Sequence, residues 1–134
     1  MARNGKPVNK QKPLKLYNMA SEFAIIGAGL LRPSALVEIR AELDSNAFGD
    51  EKCRLIFEAM AGLSANGEPV DMVILTNELE KTGKLEKAGG GEFLGEILGA
   101  TTGSAGLAYH IRELKECRAR RSPVSYTHLT LPTN

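Results

Sequence analysis

The side chains of this sequence that could act as metal ligands, nucleophiles or bases are few, and their spacing brings no reactive set together. His110 and His128 are the only imidazoles. Neither has a second histidine or a carboxylate at HExxH or calcium-loop spacing, the patterns that aim several donors at one ion. His110 also lacks a serine or cysteine partner for general-base work, and it reads as an exposed or interface residue of the last helix. Cys53 and Cys117 lie far apart, form no CxxC pair and fall inside helical patterns, which favours reduced core thiols over a disulfide or metal site. Glu78 with Glu80, and Glu113 with Glu116, suggest the paired carboxylates of acid–base catalysis, but they fall on helical faces expected to be wet.

No GxxxxGK[ST] loop is present. The runs Ile26-Gly27-Ala28-Gly29 and Gly89-Gly90-Gly91-Glu92 lack the lysine and the preceding strand that a phosphate cradle needs, and they read as helix-packing and hinge glycines. Nucleotide hydrolysis is therefore not expected of this chain, and no metal or other cofactor is expected either. Arg118, Arg120 and Arg121 could touch phosphates, or could complement the negative end of a helix macrodipole. A small helical domain without a reactive constellation most often works by presenting a surface to another protein.

The chain that must carry such a surface has 134 residues, enough for one domain with its own hydrophobic core. Aromatic residues make up only 5% and tryptophan is absent, so aliphatic packing must dominate and base-stacking platforms are scarce. Seventeen basic against sixteen acidic residues leave a net charge of +1, so the whole molecule has no field that would announce nucleic acid or membrane as a partner. No apolar run approaches the roughly 18 residues of a membrane span, and the basic N-terminus lacks the apolar segment of a secretory signal. A cytoplasmic protein is expected, with no membrane contact.

Residues 1–17 contain Arg3, Lys6, Lys10, Lys12 and Lys15 with little apolar content, the composition of a disordered basic arm. Lys10 and Lys12, with Arg120 and Arg121, are the candidates for weak phosphate contacts. Order is expected from Asn18, an N-cap for a helix to Leu31 with Met19, Phe23, Ile26 and Leu30 on one face. Pro33 ends that helix or opens the next, a short one over Ser34 to Leu43 with Leu36, Ile39 and Leu43 inward, and Asp44-Ser45-Asn46 breaks the pattern. Asp50 caps a third helix carrying Cys53, Ile56, Phe57, Met60 and Leu63, closed by Asn66-Gly67. Pro69, Val70 and Asp71 set up the fourth, with Met72, Leu75 and Leu79 inward, Val73 and Ile74 broadening the stripe, and a stop at Gly83. After a flexible joint at Gly89-Gly90-Gly91, Phe93, Leu94, Ile97 and Leu98 form a helix weakened by Gly95 and Gly99. Ser104 caps the last helix, to about Arg121, whose Leu107, Ile111, Leu114 and Arg118 recur at heptad-like spacing and form the candidate protein interface. No segment alternates as a strand does, so the fold class is all-α, a compact bundle of about six helices.

The segment "CRLIFEAMAGLSANGEPVDMVILTNELEKTGKLEKAGGGEFLGEI" resembles the N-terminal domain of bacterial replicative DNA helicases of the DnaB type. The similarity rests on Ile56-Phe57-Glu58-Ala59, on the turn Gly67-Glu68-Pro69-Val70-Asp71, on Leu79 to Leu85 with Gly83 between them, and on Gly90-Gly91-Glu92-Phe93-Leu94 with Ile97. Upstream, "NMASEFAIIGAGLL" is similar to the family's opening helix, with Ala28 and Gly29 small where the family is bulkier. Downstream, "TTGSAGLAYHIRELKECRARR" resembles its last helix, with Gly103 where proline is common. The resemblance covers residues 18–121. Residues 122–134 do not resemble the family's continuing helix, and Pro123 would interrupt it, so a non-family, disordered tail is expected there.

The resemblance implies a non-catalytic helical head whose last helix begins a hairpin, here lacking its second arm. It implies assembly into dimers and, in the parent protein, a hexameric ring built as a trimer of dimers, with docking of primase and in some systems of the helicase loader. ATP and Mg belong in that family to a C-terminal ATPase domain, which this sequence does not include. The competing reading is a small helical nucleic-acid-binding module acting through the basic arm and Arg118 to Arg121, with DNA contacted weakly or indirectly under the first reading.

Overall fold

A computed structural model of the chain describes residues 16–101 and 105–121. They form six α-helices, α1 Met19–Leu31, α2 Pro33–Glu42, α3 Glu51–Ala65, α4 Met72–Lys81, α5 Gly90–Ala100 and α6 Leu107–Arg121, with a 3-10 turn at Ser45–Ala47. No strand occurs among the described residues. The basic segment before Leu16, Ser104 and the tail 122–134 lie outside them.

Local chemistry explains most boundaries. The Asn18 side chain accepts from the Ser21 N–H at 3.1 Å, and Asp50 and Asp71 accept in the same way from Cys53 and Ile74 at 3.1 and 2.8 Å. Each therefore satisfies one of the N–H groups that a helix start leaves without an internal partner. Arg32 is extended, as the residue before a proline must be, and Pro33 opens α2, the second of the two roles expected of it. At the end of α3 the Glu68 N–H returns to the Leu63 carbonyl at 2.9 Å, a closure that requires the left-handed backbone of Gly67, φ 77°.

The helices are arranged around α1, which packs on α2, α6, α5 and α3. Residues 25–30 of α1 are all buried, so this helix is apolar nearly all round rather than on one stripe. Neighbours reach it because Gly27 and Gly29 leave room. A Cβ at Gly27 would lie 1.7 Å from Thr101 Oγ1, and one at Gly29 would lie 2.9 Å from Met60 Cε. Met19, expected inward, is exposed at the helix start, where no later helix covers it.

α4 is the opposite case and packs chiefly on α3 through Leu75 and Leu79. Val73, expected to broaden that stripe, is 66% exposed because α3, the chief neighbour of α4, covers the side that carries Leu75 and Leu79. The glycines expected as a flexible joint start α5 instead, Gly89 and Gly90 taking φ values of 97° and 74°. Phe48 stacks on Phe57 with centroids 4.8 Å apart, and Phe23 meets Phe93 edge-on at 5.5 Å, tying α1 and the 3-10 segment to the far side of the core.

Candidate interaction surface

α6 carries every candidate interface residue, and its inward stripe is the first thing the fold decides. Leu107, Ile111, Leu114 and Cys117 are buried against the chain's own helices. The expectation that Leu107, Ile111 and Leu114 line a face open to a second copy is therefore corrected. The heptad-like spacing does mark a packing seam, but α1 and α2 of the same chain occupy it. Two polar contacts fix α6 on α1: Asn18 Nδ2 donates to Glu113 Oε2 at 3.2 Å, and Ser21 Oγ lies 2.8 Å from His110 Nδ1. His110, expected at an exposed or interface position and to lack a serine partner, is half-buried in that seam beside Ser21, whose 1% exposure closes its hydroxyl to a substrate.

The basic residues of α6 are likewise engaged within the chain. Lys115 pairs with Glu42, Arg118 Nη1 lies 2.9 Å from Asp44 Oδ1, and Arg121 Nη2 donates to the Asn46 carbonyl at 2.7 Å. Residues 115, 118 and 121 thus form a ladder along one edge of α6 against Glu42, the last residue of α2, and residues 44 and 46 of the connection that follows it. Arg120 pairs with Glu116 one turn back at 3.3 Å. Arg118, expected at a protein interface, and Arg120 and Arg121, expected at phosphates, are all held by this chain's own acceptors. Lys10 and Lys12 lie outside the described residues.

What α6 presents outward is mixed. Tyr109 is 55% exposed, with the Arg112 guanidinium 5.8 Å from its ring centre. Between α2 and α6 run two adjoining hollows of about 260 and 280 Å³, sharing Glu38 and Ala108 and closed at one end by the Lys115–Glu42 pair.

The sequence pattern missed the most unusual polar group. Glu22 is 0% exposed in α1, and its carboxylate accepts from the N–H groups of Gly49 at 3.0 Å and Asp50 at 3.3 Å. Burial pushes its pKa above the ordinary carboxylate value, against the lowering effect of these N–H groups and the Cys53 thiol. The signal was available, a lone acid three residues before the apolar run Ile25-Ile26. Cys53 and Cys117 are free and buried, and in both burial is the main force pushing the thiol pKa upward, which leaves them protonated and unreactive. Among the described residues no group of three or more His, Cys, Asp or Glu side chains is placed to hold a metal.

The order of capped helices and the Gly67 to Asp71 turn extend over the span in which residues 14–116 match the model of the DnaB-like helicase N terminal domain. The chain belongs to that family. It is 35% identical over 100 residues to the replicative DNA helicase DnaB of Rhodothermus marinus, covering 75% of this chain and 11% of that protein. It is also 35% identical over 99 residues to the replicative DNA helicase DnaC of Bacillus subtilis, covering 74% and 22%. The chain thus spans less than a quarter of the length of these relatives. In fold it matches the N-terminal domain of DnaB helicase from Mycobacterium tuberculosis with a TM-score of 0.78 at 23% identity, over 89% of this chain and 86% of that one. It also matches a DnaB-like replicative helicase described with its interactions with primase, TM-score 0.72 at 22% identity, over 87% of this chain and 27% of that one. Among the described residues no helix is long and apolar enough to cross a membrane.

Proposed function

We propose that this chain is the non-catalytic assembly and partner-docking domain of a cytoplasmic replicative DNA helicase, contributing to ring oligomerisation and binding primase and, where one exists, the helicase loader. The observation that carries this reading is the family match over residues 14–116. The solved relative described with primase supports the choice of partner. The chain's own chemistry agrees with a role in contact rather than turnover, since its thiols are buried with raised pKa values and its one fully buried acid is satisfied by backbone N–H groups. ATP and Mg are assigned to a separate domain of the parent protein, and this domain needs neither.

The test is titration of the 134-residue chain with primase from the same organism, followed by sedimentation at low and high salt. Binding that persists as salt rises supports the reading, because apolar and hydrogen-bonded contacts are screened little. Binding to single-stranded DNA in place of primase, falling steeply with salt, would favour the nucleic-acid module instead.

A further inference from the structure

The first described residues, Leu16 and Tyr17, and Arg121 at the end of α6 meet at one place, the backbone of Gly49. Arg121 Nη1 donates to the Leu16 carbonyl at 3.0 Å, its Nη2 donates to Asn46, and its guanidinium lies 5.4 Å from the centre of the Tyr17 ring. That ring lies against Gly49 so closely that a Cβ there would be 1.9 Å from Tyr17 Cδ1 and 3.0 Å from Arg121 Nη1. The remaining groups of Gly49 are held from inside: its N–H by the buried Glu22 carboxylate of α1, its carbonyl by Arg54 of α3 at 3.4 Å. A single residue without a side chain therefore touches the entering segment, the last residue of α6 and two core helices.

We propose that this junction couples the two ends of the domain, so that displacement of Leu16–Tyr17 by anything acting on the preceding residues releases the end of α6, and displacement of α6 releases Leu16–Tyr17. The physical ground is that Arg121 is shared. Its guanidinium makes one hydrogen bond to the entering segment and one to the segment before Gly49, and it lies over the Tyr17 ring, so losing the ring removes a constraint on the cation that also holds α6 down. The Glu22 and Arg54 contacts keep Gly49 itself fixed, so motion at the junction must go to the two outer partners rather than into the core. This inference goes beyond the docking role and stands or falls independently of which partner is bound.

Backbone amide hydrogen exchange on the full chain tests it. Tyr17→Ala should speed exchange at residues 117–121 by about tenfold, equivalent to roughly 1.4 kcal/mol, while the amide of Ile25 in α1 stays protected. Arg121→Ala should produce the same acceleration, and the double variant should add little to either, the non-additivity expected of one shared contact. Gly49→Ala supplies a second route. Its methyl group has to displace the ring, so it should act like Tyr17→Ala in the native background and have little further effect once the ring is gone. Unchanged exchange at 117–121 in Tyr17→Ala, equal acceleration at Ile25, or a Gly49→Ala effect of the same size with and without the ring would each overturn the coupling.

Discussion

α1 and α4 are built from similar aliphatic residues, yet they depend on the rest of the molecule in opposite ways. α1 buries six consecutive residues among four neighbouring helices, and its glycines are sites where other elements press against the backbone. α4 buries two leucines chiefly against one neighbour, and both its ends are set by its own sequence, through Asp71 at the start and the left-handed Gly83 after the last turn. One helix is specified by what surrounds it, the other by its local signals. Substitutions at equal burial should therefore differ in effect according to how far the surroundings can relax.

The largest effect tests that directly. Ile26 and Leu75 are both 0% exposed, and removing either side chain to the Cβ should cost about 2–5 kcal/mol. Within that range Ile26→Ala should cost more, because the cavity it leaves is walled by helices fixed on several sides, whereas α4 can settle onto α3 and close part of the gap. Urea denaturation of both variants measures the difference. Equal costs, or a greater cost at Leu75, would show that α4 is held as rigidly as α1.

The next effect concerns the acid within α1. Glu22 has a raised pKa in the fold, so the native chain holds that proton more tightly than the unfolded chain does. The stability linked to this group is fully present below the unfolded value of about 4.5 and is lost as pH rises through the folded value. Glu22→Gln keeps the shape but turns an amide NH₂ toward one of the two backbone N–H groups, a loss of about 1–3 kcal/mol. The deficit should be greatest at acid pH and shrink as pH rises, since only the native chain loses stability over that range. A deficit that grows with pH would mean that the carboxylate is stabilised in its charged form.

These two regions also show what could be read from the sequence. The caps Asn18, Asp50 and Asp71, the inward stripes of α2 and α3, the two inward leucines of α4, and the stop at Gly83 were legible because each depends on residues within a few positions of one another. The expected face of α1 was only partly right, since a helix covered on nearly every side has no single face to find. On α6 the periodicity located a seam correctly but could not say whose helix fills it. A heptad-like stripe looks the same whether it meets a second copy or α1 of its own chain, and only the tertiary arrangement decides. Glu22 and Gly49 escaped notice for a related reason, since their roles exist only where α1, the segment before α3 and the end of α6 meet.

A smaller effect sharpens the description of α4 as locally specified. Asp71→Ala removes the 2.8 Å acceptor for the Ile74 N–H and the negative charge near the helix start, and should cost about 0.5–2 kcal/mol. Hydrogen exchange should show the loss in the first turn of α4, with α1 amides affected only through global unfolding. Asn18→Ala, at the start of α1, is the matched comparison. It also breaks the link to Glu113 of α6, so its effect should spread to both helices.

The smallest expected effect has the opposite sign. Gly95 lies on the exposed side of α5, and a Cβ built there meets nothing within 4 Å. A glycine in a helix interior costs about 0.5–1 kcal/mol relative to alanine, because the unfolded chain loses more freedom on folding. In contrast to Gly27, whose Cβ would strike Thr101, Gly95→Ala should raise stability by about that amount. The urea midpoint should move up without a change in slope, since no additional surface is exposed on unfolding. If the midpoint falls instead, and falls further at higher protein concentration, another molecule must approach α5 at Gly95 closely enough to exclude a methyl group. This face would then resemble α1, shaped by what packs on it, rather than α4.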